Sequence, residues 1–216
     1  MSSRDAILQR IRTELSDVTA AEPPPVSEVW PATGATSDAM IERFISELEA
    51  VQGEIVRCRS MDDARQKLAD LMKESEWQSL GAAERPICHE LTADLPAEQV
   101  AWAKEGWDPN EMARLSAGLV AAEWLLADTG SSVVVNETAE ERLLCYLPPA
   151  SVVVARVEQL REHMPAAWSE VARATAEADR RGEFVLITGP SRTADIEKIL
   201  ILGVHGPKRL VVLLID

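Results

Sequence analysis

Apolar residues follow two patterns along the chain, a helical stripe in the first half and unbroken runs in the second. Between Ser3 and Leu15, the residues Ile7, Leu8, Ile11 and Leu15 share one stripe behind a serine able to cap, which predicts a short amphipathic helix. The stretch Ser16 to Ser37 carries Pro23, Pro24, Pro25, Pro31 and Gly34 and reads as an extended tether. The helix is therefore an arm whose stripe needs cover, from its own domain or from a second copy. From Asp38, Met40, Ile41, Phe44, Ile45 and Leu48 predict a helix ending at Gln52 and Gly53, followed by a strand over Glu54 to Cys58 and a helix over Met61 to Lys73. Trp77 to Asn110 is less periodic, with a short strand predicted over Pro86 to Leu91.

The second half reads more plainly. Leu119 to Ala127 is apolar apart from Glu123, and the turn Asp128-Thr129-Gly130-Ser131 leads into Ser132 to Val135, two β-like runs around a polar corner. Ser151 to Ala155 reads as a buried strand, and a long helical stretch runs from Val157 towards Arg180, interrupted by Pro165 and ended by Gly182. Phe184 to Thr188 and Leu210 to Ile215 are unbroken apolar runs flanking a predicted helix from Thr193 to Leu202, with Gly203 at its C-terminus. Two such strands joined by a helix predict a right-handed βαβ unit with strands buried on both faces. The fold class is α/β, with an arm and tether over residues 1–37 and a single domain over residues 38–216. Open sheets bind ligands beyond the carboxyl ends of their strands, which points to the turns after Thr188 and after Ala127.

Composition narrows the function classes. With 216 residues, at about 150 per domain, the chain holds one large domain or one domain with an appendage. It has 36 acidic and 22 basic residues and a net charge of −14, which opposes a nucleic acid backbone and an anionic membrane surface alike. The basic pairs Arg180-Arg181 and Lys208-Arg209 read as solvated charges. Cys58, Cys88 and Cys145 are too sparse for a disulfide framework or a CxxC site, and neither a secretory signal nor a membrane span is evident, so a cytoplasmic location is expected.

Three segments carry candidate chemistry. Thr188 to Glu197 combines a strand end, Gly189, Ser191 and Arg192, yet Asp195 and Glu197 in its first predicted helical turn oppose a phosphate, and neither GxGxxG nor GxxxxGK[ST] is present. It is either an anion-binding turn or a tight turn capped by Thr193 in which Arg192 pairs with Asp195. His205, between Gly203 and Gly206, could act as an acid, a base or a ligand, but the predicted topology sets it at the sheet edge opposite the ligand edge, which favours a structural role. Thr129, Gly130 and Ser131 offer hydroxyls and backbone N–H groups for an anion nest. Glu123 reads equally as a partly buried acid or base and as a solvent-facing residue at an element's edge. His89 and His163 share no metal-ligand spacing with another histidine, so no metal site is expected.

The segments Ala127 to Ser131, Leu147-Pro148-Pro149, Thr188 to Glu197 and Leu202 to Pro207 together resemble the lactate-utilisation protein C family, also called the LUD domain. The resemblance runs from about Met40 to Asp216 and is tightest from Gly118 onward. It implies a three-layer, mostly parallel sheet with helices on both faces, related to ribose-phosphate isomerase, glucosamine-phosphate deaminase and coenzyme A transferase. It also implies a non-redox part in oxidising L-lactate to pyruvate beside iron–sulfur partner subunits, with the clusters held by those partners and no cofactor on this chain. The matching turns mark Thr129, Gly130, Ser131, Gly189, Ser191 and Arg192 as ligand-binding candidates, with Glu123 and His205 as weaker ones and catalytic residues unassigned. Two other readings stand beside this one. The first is a stand-alone enzyme acting on a sugar phosphate or a coenzyme A ester. The second is a structural or regulatory partner that self-associates or docks through the N-terminal helix.

Overall fold

The computed structural model describes residues 3–16, 30, 33–176, 184–193, 201–203 and 205–216. The chain divides into two units, Met1–Pro31 and Ala32–Asp216. In the first, α1 (Ser3–Leu15) is helical as the stripe predicts, with Ile7, Ile11 and Leu15 exposed.

The second unit opens with α2 (Ser37–Ala50), whose Thr36 cap accepts a hydrogen bond from the Ala39 amide and whose Ile41, Phe44 and Leu48 are buried. Then come β1 (Glu54–Cys58), α3 (Met61–Glu74, capped by Ser60), β2 (Leu80–Ala82), α4 (Pro86–Thr92), β3 (Val100–Trp102), α5 (Pro109–Met112) and β4 (Ala117–Ala121). The segment Pro86 to Leu91, expected as a strand, is helical instead. Proline in the first turn supplies a preset φ where no N–H is needed, so it opens α4 rather than capping a strand. The chain continues through β5 (Trp124–Leu126), β6 (Ser131–Val135), α6 (Ala139–Leu144), β7 (Ala150–Arg156), β8 (Leu160–Arg161), α7 (Met164–Thr175), β9 (Phe184–Ile187), β10 (Arg192–Thr193), β11 (Ile201–Leu202) and β12 (Arg209–Ile215).

Six strands in the order β1-β12-β7-β4-β2-β3, all parallel, form the central sheet. β12 and β7 lie inside it, and residues 210–215 and 150–155 are buried throughout, which accounts for their unbroken apolar character. At about 1.5–3 kcal/mol for each buried valine, leucine or isoleucine side chain, these two runs make a substantial contribution to the core. Arg209 forks onto Glu54 at the start of the neighbouring strand, with bonds of 2.6 and 2.7 Å, so it is an ion-paired lock rather than a solvated charge. Helices α3 and α4 pack on each other and against β1, β12 and β4, while α6 lies against the face on which Gly81 and Gly118 sit. This is the α/β layering expected.

A second sheet of four strands runs β8-β5-β6-β9, with β5 and β9 antiparallel to β6. Its alternation is regular. Trp124, Leu126, Val133 and Val135 pack with Ala167 and Val171 of α7, while Leu125, Val134 and Val185 join the main core. The hairpin expected around Asp128 to Ser131 is thus β5–β6.

Two expectations fail here. Phe184–Ile187 and Leu210–Ile215 do not form a βαβ unit, because β9 pairs with β6 in the second sheet and β12 with β1 and β7 in the first. The helix predicted from Thr193 to Leu202 is paired strand at both ends, Arg192 with Leu202 and Thr193 with Ile201, and residues 194–200 lie outside the described residues. The β-branched Thr193 and Ile201 suit that antiparallel ribbon, and Gly203 at φ +71° leads out of it. The long helix predicted from Val157 is also divided. A single 3-10 turn and β8 precede α7, which begins where Pro165 can occupy the first turn and His163 caps it, Nδ1 accepting from the Ala166 amide at 3.0 Å. Arg180, Arg181 and Gly182 lie outside the described residues.

Glu162, just before that cap, fastens the start of this unit. Its carboxylate accepts from the Thr33 amide (3.0 Å), the Thr33 hydroxyl (2.6 Å) and the Ala35 amide (2.9 Å), and these bonds hold its pKa down to about 2. A carboxyl whose folded pKa is depressed from 4.5 contributes fully above about pH 4.5 and loses that contribution as the pH falls toward 2. Protection of the Thr33 and Ala35 amides relative to their intrinsic exchange rates is expected to fall across that window, and to be low already at neutral pH in Glu162→Ala. Protection independent of pH in the parent chain would contradict this anchoring.

No helix among the described residues is long and apolar enough to cross a membrane.

Candidate ligand site between the two sheets

On the central sheet, Gly81, Gly118, Ser151 and Leu210 are register neighbours across β2, β4, β7 and β12 and therefore share one face. The glycines leave room for α6: a Cβ on Gly118 would fall 2.6 Å from the Leu144 carbonyl oxygen. Further along the row, at Ser151 and Leu210, a cleft of about 330 Å³ opens towards β9 of the second sheet. Its opposite wall is Val185 to Ile187, continuing into the turn Thr188 to Ser191 and on to Arg192, with the loop His205 to Pro207 at the end. Turn and loop brace each other, the Ser191 amide donating to the Pro207 carbonyl at 2.8 Å and the Gly203 amide to the Ser191 carbonyl at 2.9 Å.

This geometry revises the expected positions of His205 and Arg192. They line the same cleft, although the predicted βαβ unit set them at opposite edges. Because β9 belongs to the second sheet, its carboxyl end comes over the amino ends of β7 and β12, where the His205 loop enters. Gly189, Ser191, Arg192 and His205 are thereby gathered, with Arg192 and His205 exposed.

Thr129, Gly130 and Ser131 lie behind that wall and do not line the cleft. The Ser131 hydroxyl, almost fully buried, donates to Thr129 Oγ1 at 2.8 Å and meets Thr188 Oγ1 at 2.6 Å, tying the β5–β6 corner to the end of β9. Both corners rest on the carboxyl end of α2. A Cβ on Gly130 (φ +61°) would sit 2.3 Å from the Leu48 nitrogen, and one on Gly189 (φ +85°) 2.8 Å from the Val51 carbonyl oxygen. The helix backbone fills the space against the corner at Gly130, and the negative end of its dipole disfavours an anion there. These three residues position the cleft wall.

Comparison with known proteins decides the family. The family described as the LUD domain matches residues 41–215. The chain belongs to the LUD domain family. An uncharacterized protein, YkgG, of Escherichia coli is 28% identical over 83% of this chain and 76% of its own length. A protein of Exiguobacterium sp. named lactate utilization protein C is 28% identical over 97% of this chain and 94% of its own. Among solved structures, a DUF162 family protein from Deinococcus radiodurans superposes with a TM-score of 0.59 at 17% identity, covering 84% of this chain and 99% of that one, a likeness of fold.

In this LUD domain the cleft also contains two groups not singled out from the sequence. Ser151 is 1% exposed, and its hydroxyl has no hydrogen-bond partner among the described residues. Its one sequence signal is a hydroxyl inside the apolar run Ala150 to Ala155. Cys145, after α6, is buried, and desolvation pushes its thiol up to about 12, so it is protonated at neutral pH and is not an activated nucleophile. Cys88 in α4 is likewise pushed up to about 12 and Cys58 at the end of β1 to about 11, again by burial. Glu123 is half-buried between β4 and β5 and does not line the cleft; its amide donates to the Val133 carbonyl at 2.8 Å, and its own carbonyl accepts from Gln159 Nε2 at 3.2 Å. The cleft offers polar groups for recognition, the Arg192 guanidinium, the His205 imidazole, the hydroxyls of Ser151, Ser191, Thr188 and Tyr146 and the Cys145 thiol, set among apolar side chains.

Proposed function

We propose that this LUD domain protein serves lactate utilisation in the cytoplasm as a subunit without a redox centre of its own, beside iron–sulfur partner proteins that oxidise L-lactate to pyruvate. The observation that carries this reading is end-to-end correspondence with a relative named lactate utilization protein C. The thiols of this chain support the assignment of clusters to the partners. Cys58, Cys88 and Cys145 belong to three different parts of the fold, and among the described residues no three His, Cys, Asp or Glu side chains gather as a metal-binding group.

The test is isolation of the tagged chain from its native cells under anaerobic conditions. The expected eluate contains iron–sulfur chains and reduces a dye when L-lactate is added, and cells lacking this chain fail to grow on L-lactate. A partner-free, inactive preparation together with normal growth of the deletion strain would overturn the reading. Turnover of a sugar phosphate or a coenzyme A ester by that preparation would establish a stand-alone enzyme instead.

A further inference from the structure

We infer that the cleft between the two sheets takes an organic monoacid longer than lactate, with its carboxylate held at Arg192 and His205 and a second polar group hydrogen-bonded to Ser151. This inference is independent of the lactate reading, which assigns the cleft no ligand.

Size is the first argument. A cleft of about 330 Å³ lies within the size range of small-molecule sites and has room for an acid longer than three carbons. The distribution of polar groups is the second. Arg192 and His205 are exposed, with Ser191 half-buried beside them, whereas the Ser151 hydroxyl is sealed into the floor. The rest of the lining is mixed: Val185, Ile187, Pro190, Pro207 and Leu210 are apolar, while Tyr146, Thr188 and Cys145 add polar atoms. A ligand matching this lining carries a charged group, an apolar portion and a separate group able to hydrogen-bond.

Ser151 is the third argument. A buried hydroxyl without a partner is a standing cost that a ligand group can remove, and this one stands on a strand whose other buried positions here are alanine and valine. The charge of the ligand follows from the donors. One guanidinium matches one carboxylate, while a phosphate dianion would meet the field of a chain with net charge −14.

Calorimetric titration of the full chain at neutral pH tests the inference with L-lactate, with a series from ω-hydroxybutanoate to ω-hydroxyoctanoate, with the matching unsubstituted fatty acids, and with 1,6-hexanediol. At least one ω-hydroxy acid is expected to bind about tenfold more tightly than both L-lactate and its unsubstituted counterpart, and the diol is expected not to bind. Arg192→Ala should weaken every acid by about 10–100-fold, the effect of losing a charge-assisted bond. Ser151→Ala should weaken only the ω-hydroxy acid, by about tenfold, and retained fatty-acid binding shows that this variant is folded. Equal binding of L-lactate and the longer acids, no saturable binding at millimolar concentration, or affinities unmoved by either substitution would overturn it.

Discussion

Gly130→Ala is expected to lower the unfolding free energy by about 3 kcal/mol, a fall of roughly 6–12 °C in Tm for a domain of this size. Two effects add. The residue sits at φ +61°, where a Cβ is strained whatever the space around it. That Cβ would also fall 2.3 Å from the nitrogen and 2.7 Å from the Cα of Leu48, atoms of α2 that cannot rotate away. Relief requires α2 to lift, and Phe44 and Leu48, both fully buried, lift with it. Thermal unfolding followed by circular dichroism measures the loss. The comparison is Gly34→Ala, at φ +68° with nothing within 4 Å of its added Cβ, where strain acts without a clash and the loss is expected to be about 1–2 kcal/mol. Equal effects at the two positions would show that α2 yields readily and that the corner is not packed as described.

Arg85→Ala has the second large effect, about 3–5 kcal/mol. Arg85 follows β2 at the carboxyl edge of the central sheet. Its Nη2 donates to the Val135 carbonyl at 2.8 Å and to Glu141 Oε2 at 3.0 Å, while Nη1 pairs with Glu137. The side chains of Arg85 and Glu141 are only 12% and 3% exposed, so removing the guanidinium leaves a carboxylate in the interior with the Glu137 amide as its remaining donor from this cluster. The carbonyl at the end of β6 loses a partner as well. A stranded buried charge costs far more than the pair contributes, so the double variant Arg85→Met with Glu141→Leu should recover most of the stability. Urea unfolding of the two single variants and the double variant measures the coupling. A loss below about 1 kcal/mol in Arg85→Ala would mean that water reaches Glu141 and the cluster is not sealed.

Arg85 also illustrates what the sequence could and could not reveal. Helices α2 and α3 were legible because their apolar residues recur at helical spacing, whereas the caps Thr36 and Ser60 that fix their starts emerge only from the structure. The strands β7 and β12 were legible because only burial on both faces tolerates such unbroken runs. Pairing was not. Phe184 to Thr188 looks like Leu210 to Ile215 in composition, yet Leu186 is 43% exposed and its strand borders a different sheet. That one misplaced strand moved His205 to the wrong edge. Local chemistry still singled out Gly189, Ser191 and Arg192, because a glycine turn with hydroxyls and an arginine is recognisable without knowing its surroundings. Arg85 lies in a stretch without periodicity, and its partners at 135, 137 and 141 come from distant chain, so nothing nearby signals a buried ion pair. Ser151 was hidden in the opposite way, by neighbours so apolar that a single hydroxyl reads as an ordinary strand residue.

β12 lies between β1 and β7, so Glu54 is held in the sheet by Val211 and the strands on either side do not touch each other. During synthesis, β1 emerges long before the strand that seats it, and β7 and β4 can pair while β1 still waits. The nascent chain therefore carries an open parallel edge until residues 209–215 have cleared the ribosome, and contacts of such long sequence separation form slowly. Exposure of that edge to aggregation and to chaperones lasts until β12 is made, when this one strand completes the sheet and closes the cleft floor at Leu210 in the same step.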